Sequence, residues 1–376
     1  MSASPASRPL PDPSLLAPEY IRSLGRYVPG KPVGELAREF GLTASNIVKL
    51  ASNENPRGPS PKALAAISAA AADITRYPDG NAYTLKQALA RRFDVDADQI
   101  VLGNGSNDVL ELVAQAYVRP GDHTVFSQHA FTVYPLATQA RGARGIVVPA
   151  RNFGHDLDAM RNAITPQTRV VFVANPNNPT GTWLNPVEID RFLSHVPRDV
   201  LVVLDEAYNE YLKPEEQAHA TRWIARYPHL VVTRSFSKAF GLAALRIGYG
   251  VMNARVADML NRVRQPFNVN ALAQAAALAS LDDEGYVEES RRLNFEGMRQ
   301  LEAGFNRLRL QFLPSRGNFI LVRVGDAIAV YGKLLEHGVI VRPVGNYELP
   351  HWLRITVGLP RENERFLSAL ETALHA

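Results

Sequence analysis

Leu230-Val231-Val232-Thr233-Arg234-Ser235-Phe236-Ser237-Lys238-Ala239-Phe240-Gly241-Leu242, continuing to Arg246, opens on a β-branched apolar run and closes on hydroxyls, a lysine and a glycine. A short apolar run without helical periodicity reads as a strand buried on both faces. Two runs upstream have the same form. Residues 200–204 lead into Asp205-Glu206-Ala207-Tyr208, and residues 170–174 lead into Asn177-Asn178-Pro179-Thr180-Gly181. Further runs at 100–102 and 247–251 alternate with helix-like stretches, one of them at 108–118. This alternation predicts an α/β fold, a mostly parallel central sheet covered by helices. The polar residues sit just past the apolar runs, at the strand ends where open α/β sheets bind ligands.

Beyond about residue 270 the pattern changes to an Ala-, Glu- and Arg-rich helical region, then strand candidates at 319–324, 339–342 and 353–357, and a last helix near 362–374. The expected division is an arm at 1–45 packing on the small domain or a partner subunit, a large domain at 46–269, and a small α+β domain at 270–376. Residues 1–18, rich in Pro, Ser and Ala, read as a loose arm without the apolar centre of a signal peptide.

Composition narrows the chemistry. The 376 residues carry 41 basic and 37 acidic side chains, a net +4 with no Lys/Arg block, which argues against a nucleic-acid partner. The chain has no cysteine, so disulfides, thiolate metal sites and a cysteine nucleophile are excluded. The nine histidines form no H-E-x-x-H pair, and no metal site is expected. No apolar run approaches the roughly 20 residues that span a bilayer, so no membrane association is expected and the cytoplasm is the default compartment.

The residues after the three runs meet the needs of an aldehyde cofactor carrying a pyridine ring and a phosphate. Such chemistry needs an amine to join the aldehyde, and Lys238 offers one that desolvation or a nearby cation could activate. A carboxylate must keep the ring nitrogen protonated, a part suited to Asp205. Asn178 and Tyr208 can hold the phenolic oxygen, and Ser235, Ser237 and Arg246 can hold the phosphate. Upstream, Gly103-Asn104-Gly105-Ser106-Asn107 links a strand to a helix and can aim backbone N–H groups at the same anion. Phe131, in His129-Ala130-Phe131-Thr132-Val133-Tyr134, can stack on the ring.

With these segments in view, the chain resembles the fold-type I pyridoxal-5′-phosphate (PLP)-dependent aminotransferases, and within them the histidinol-phosphate aminotransferases. The likeness runs from about Tyr20 to the C-terminus. It includes Tyr27-Val28-Pro29-Gly30-Lys31-Pro32, Leu50-Ala51-Ser52-Asn53-Glu54-Asn55-Pro56 and Arg76-Tyr77-Pro78-Asp79-Gly80. The resemblance implies PLP as cofactor, with Lys238, Asp205 and Tyr208 catalytic. It implies Ser106, Asn107, Phe131, Asn178, Ser235, Ser237 and Arg246 at the cofactor, joined by Tyr77 from a partner subunit in a homodimer. It places Arg354 at the anionic end of the substrate, with Arg342, Tyr20 and Asn55 as helpers. The implied reaction takes histidinol phosphate and 2-oxoglutarate, giving glutamate. Two departures stand out: Asn107-Asp108 where the family often has Asp-Glu, and Ala244 where Gly is common. Alternatives are an aromatic amino-acid aminotransferase, a phosphothreonine-type decarboxylase, and a cofactor-sensing regulator, which would need a DNA-binding domain.

Overall fold

The computed structural model describes residues 12–375, so the arm before Asp12 lies outside the described residues. Thirteen strands follow in chain order: β1 (Val48–Lys49), β2 (Ile100–Gly103), β3 (His123–Ser127), β4 (Arg144–Val148), β5 (Thr168–Ala174), β6 (Leu201–Asp205), β7 (Leu230–Ser235), β8 (Gly248–Met252), β9 (Phe312–Leu313), β10 (Phe319–Arg323), β11 (Val339–Ile340), β12 (Arg342–Pro343) and β13 (Trp352–Thr356).

Seven of them form the central sheet in the order β2-β8-β7-β6-β5-β3-β4. The run β4, β3, β5, β6, β7 is parallel throughout, and β8 is antiparallel to both of its neighbours. Period-two alternation sends side chains into two cores. Val171, Val173, Val202 and Leu204 face one helical layer, while Val170, Phe172 and Val203 face the other. Every residue of β6 and β7 is buried, which is why their first residues, 201–204 and 230–232, read as continuous apolar runs rather than alternating ones. The register aligns Ala174 with Asp205, and sets Ser235 and Gly103 both opposite Gly248. The ends of β2, β5, β6 and β7 therefore open on one edge.

A second unit is built on the antiparallel order β12-β13-β10-β9, with the helix Pro360–His375 and part of the 24-residue helix Glu284–Arg307 packed on it. The divisions expected at 45/46 and 269/270 do not coincide with the packing. Val48 and Leu50 sit in the small unit's core, and β1 pairs in parallel with β11. Conversely, Ala273, Ala276, Ala277 and Leu281 of the helix Ala271–Leu281 belong to the large sheet's core, against the helices Pro61–Ala70 and Tyr83–Phe93. Composition marks an Ala-rich helix as close-packing, but not which core receives it. The helix Val33–Phe40 buries Leu36 against Ala51, Leu335 and Ile340, so this part of the arm packs on the small unit.

A buried ion pair ties β6 to β7. Arg234 donates from Nε and Nη2 to Oε2 of Glu206, at 2.9 and 2.7 Å, and its Nη1 lies 3.7 Å from Glu210. Breaking such a pair from one side leaves an uncompensated buried charge. Arg234→Leu is expected to lower the unfolding free energy by about 3–5 kcal/mol, read from the urea midpoint. A midpoint at the wild-type value would show that Glu206 and Glu210 do not depend on it.

Candidate active site

The open edge of the large sheet and the inner face of the small unit enclose a cavity of about 250 Å³. One end of it is an anion cradle. Gly103 ends β2 where a Cβ would crowd the backbone of Gly105, and Gly105 takes φ +83° at the start of the helix Ser106–Tyr117. A Cβ on Gly105 would overlap the Arg246 guanidinium, so glycine is required for the arginine to lie on the turn. Arg246 donates to Ala243 O at 3.0 Å and reaches Ser237 Oγ at 3.4 Å, and Ser235 Oγ accepts from Ser237 N at 3.0 Å. A helix N-terminus, two hydroxyls and a guanidinium thus converge on one place, the donor set that a phosphate takes. Ala244 is exposed, so its extra methyl faces solvent.

Deeper in, Asp205 ends β6 with its carboxylate buried among donors. Tyr134 OH donates to Oδ2 at 2.9 Å and Thr233 OH to Oδ1 at 3.1 Å. Burial raises the Asp205 pKa above the usual carboxylate value, and these two hydrogen bonds pull against it. Tyr134 and Thr233 were not singled out from the sequence. Thr233 sits two residues before Ser235, and Tyr134 lies three residues past Phe131. Phe131 lines the cavity and meets the Tyr134 ring edge-on, centroids 5.9 Å apart.

Lys238 donates from Nζ to Ser52 O at 3.1 Å. Burial, assisted by the cations Arg354 and Arg246 and opposed by Glu54 and Asp205, draws its pKa down to about 8. Tyr208 OH accepts from Asn53 Nδ2 at 2.9 Å, and burial pushes this phenol up to about 12. Asn53, to which the sequence alone gives no role, holds φ +54° and is pinned by its backbone N–H to Thr356 Oγ1 at 2.9 Å.

Arg354 on β13 is 7 % exposed. It donates to Asn178 Oδ1 at 2.6 Å and to Ala51 O at 2.8 Å, while its buried Nε has no protein partner. Asn178, expected at the phenolic oxygen, thus has Oδ1 committed to Arg354, and its amide Nδ2 is the end that remains for the cavity. Arg342 also lines the cavity and donates to Val28 O at 2.7 Å, beside Tyr27 and Tyr347.

Three expected residues lie elsewhere in this chain. Asn55 donates to Ala239 O at 2.9 Å and Ser290 Oγ at 3.1 Å, and borders a separate small cavity. It fastens the 53–58 segment rather than facing the site. Tyr20 packs on Gly142, with its carbonyl accepting from Gln139 Nε2 at 3.2 Å. Tyr77 is 82 % exposed and stacks on Phe267, centroids 4.7 Å apart. Among the described residues no cluster of potential metal ligands occurs, and no helix is long and apolar enough to cross a membrane.

Residues 45–370 match the sequence model of the aminotransferase class I and II family. The chain is 61 % identical over 360 residues to histidinol-phosphate aminotransferase 2 of Pseudomonas fluorescens, covering 96 % of this chain and 97 % of that one. It is equally similar, 61 % over 96 % and 98 % of the two chains, to histidinol-phosphate aminotransferase 2 of Pseudomonas aeruginosa. Among solved structures, histidinol-phosphate aminotransferase from Sinorhizobium meliloti in complex with pyridoxal-5′-phosphate superposes with a TM-score of 0.88 at 29 % identity, covering 95 % of this chain and 97 % of that one.

An amine attacks an aldehyde only in its neutral form, so Lys238 should be unreactive below its pKa and reactive above it. The rate at which the cofactor-free protein captures pyridoxal phosphate, followed by absorbance, is expected to rise with pH through a midpoint near 8. Arg354→Met removes a cation that favours the neutral amine, so its midpoint should move upward. A wild-type midpoint near the ordinary lysine value of 10.5 would contradict the environment described.

Proposed function

The chain belongs to the class I and II aminotransferase family, and from that premise we propose that it is a cytoplasmic, homodimeric histidinol-phosphate transaminase using pyridoxal 5′-phosphate and 2-oxoglutarate. The observation that carries this reading is the pair of separate anion sites flanking Lys238. One is the cradle of Ser106, Asn107, Ser235, Ser237 and Arg246, and the other is the buried guanidinium of Arg354. The residues fit the cofactor: the cradle takes its phosphate, and the Asp205 carboxylate lies at the wall of the same cavity. Bound there, pyridoxal phosphate supplies an aldehyde for the substrate amine and a ring that accepts the electron pair released at the substrate carbon.

The chain's own groups do the rest. With the cofactor bound, Lys238 would take the proton from the substrate carbon and give it to the carbon that had been the cofactor's aldehyde, acting as base and then as acid, which its lowered pKa suits. Asp205, oriented by Tyr134 and Thr233, keeps the ring nitrogen protonated. Tyr208 and Asn178 hold the phenolic oxygen. Arg354 meets the phosphate of histidinol phosphate in one half-reaction and a carboxylate of 2-oxoglutarate in the other, since a guanidinium matches both. Arg342 stands by it at the cavity wall.

Tyr77 supports the homodimer. With Ile74, Phe267 and neighbouring prolines it forms an exposed apolar face, which a second copy would cover while Tyr77 reaches that copy's cofactor phosphate. Aromatic amino-acid transamination and phosphothreonine decarboxylation would use the same lysine and aspartate. The 61 % identity over nearly the full length favours histidinol phosphate over either.

Purified protein with pyridoxal phosphate is expected to turn over histidinol phosphate and 2-oxoglutarate with kcat/KM at least about 100-fold above that for phenylalanine, a difference of some 2.7 kcal/mol in transition-state binding. The reverse preference would make it an aromatic aminotransferase, and release of CO₂ a decarboxylase. Lys238→Ala is expected to bind the cofactor yet lose activity by orders of magnitude.

Mixing Tyr77→Phe and Lys238→Ala proteins under subunit exchange tests the composite site. If Tyr77 and Lys238 at each site come from opposite chains, a heterodimer carries one site with both lesions and one with neither. Activity should then return on mixing. Exchange without recovered activity would remove Tyr77 from the neighbouring site.

A further inference from the structure

We propose that Asn268 is a positioning residue for the cofactor, acting by locking the turn that forms the phosphate cradle. The inference rests on the reading of that cradle as the pyridoxal phosphate site. Strand β2 is an edge strand, paired only with β8, so the carbonyls on its outer side have no strand to bond. Asn268 supplies a partner: its Nδ2 donates to Leu102 O at 3.1 Å. The same Nδ2 donates to Asp108 Oδ2 at 2.8 Å, in the first turn of the helix Ser106–Tyr117. That carboxylate oxygen also accepts from Asn104 N at 2.8 Å, within the cradle turn. Arg264 Nη1 in turn donates to Asn268 Oδ1 at 2.7 Å and fixes which way the amide points. One side chain thus clamps the end of β2, the turn and the first turn of the helix.

The clamp matters because this turn has no slack. Gly103 and Gly105 both lie where a Cβ would collide with a neighbour, and Arg246 lies on Gly105. A small rotation of the turn moves the Ser106 and Asn107 end of the helix and the arginine together. Asp108 needs restraint for a second reason. An acid in a helix's first turn complements the helix dipole, but it repels an anion bound at that same end. Hydrogen bonds from Asn104 and Asn268 hold its charge on the side of the turn toward residue 268. Asn268 also follows Phe267, the residue stacked on Tyr77, so the clamp joins the cradle to the face proposed to meet the second subunit.

The test is the dissociation constant of pyridoxal phosphate for cofactor-free protein, by absorbance titration, in the wild type, Asn268→Ala, Asn268→Ser and Asn253→Ala. Asn253 caps the helix Ala254–Val263 at its far end and serves as a control for general loosening. Asn268→Ala is expected to weaken cofactor binding about ten-fold, the scale of a hydrogen bond to a charged group. Asn268→Ser, which keeps one donor, should fall between, and it decides the matter if the alanine variant does not fold. Asn253→Ala should lower the melting temperature without moving the constant. At saturating cofactor, turnover of Asn268→Ala should return to within about two-fold of wild type by mass action. An unchanged constant for both Asn268 variants, or an equal weakening in Asn253→Ala, would overturn the proposal. A wild-type protein that fails to bind pyridoxal phosphate would instead overturn the functional reading beneath it.

Discussion

A carboxylate buried at the end of a strand must be given donors, and the rest of this site is arranged around that need. Asp205 receives hydrogen bonds from Tyr134, on the helix that follows β3, and from Thr233 on β7. Those donors can reach it only because β3, β5, β6 and β7 run in parallel and finish at one edge. The neighbouring residue uses the opposite side of the strand. Glu206 turns into the interior and is met there by Arg234, whose own neighbour Ser235 turns back toward the cavity. The alternation of a strand thus separates a structural ion pair from a chemical site within two adjacent positions.

Charge inside the cavity is strongly unbalanced. Lys238, Arg246, Arg342 and Arg354 line it against Asp205 and Glu54, and Glu54 is already paired with Lys49 at 2.9 Å. Burial, with the confined cations assisting, makes the lysine the group that yields, because a guanidinium does not deprotonate while an ammonium can. The same excess of positive charge suits ligands carrying two anionic groups. Electrostatics that tune the amine and electrostatics that attract the substrate are therefore one arrangement.

Neither packed unit makes the site alone. Lys238, Asp205 and the cradle come from the large sheet, and Arg354, Arg342 and Tyr347 from the small unit. The segment 51–54 passes between them. Ala51 O accepts from Arg354, Ser52 O from Lys238, and Asn53 holds Tyr208. This one stretch of chain sets the distance between the Lys238 amine and the Arg354 guanidinium. Its next residues, Asn55 and Arg57, fasten it to the helix Glu284–Arg307, with Arg57 over the Tyr286 ring at 4.2 Å.

Sequence alone determined the parts whose signal is local. Runs of buried strands announce themselves by continuous apolar residues, and groups set at their ends, such as Asp205, Ser235 and Lys238, are legible because strand ends are where a sheet offers its edge. Glycines in a strand–helix turn, as at Gly103 and Gly105, are likewise visible residue by residue. What only the tertiary structure decided are partnerships between residues far apart in the chain. Asn268 lies 160 residues from Asp108, and Asn178 lies 176 from the arginine that takes its carbonyl. Asn55 and Tyr20 sit in or near family-like segments, but within this chain neither lines the cavity, because a motif fixes residue types while the backbone path fixes their neighbours. The packing of the helix Ala271–Leu281 in the large sheet's core is hidden from the sequence for a related reason. Its alanines say that it packs closely, and nothing local says against which surface, since that choice depends on contacts made only once the chain has folded.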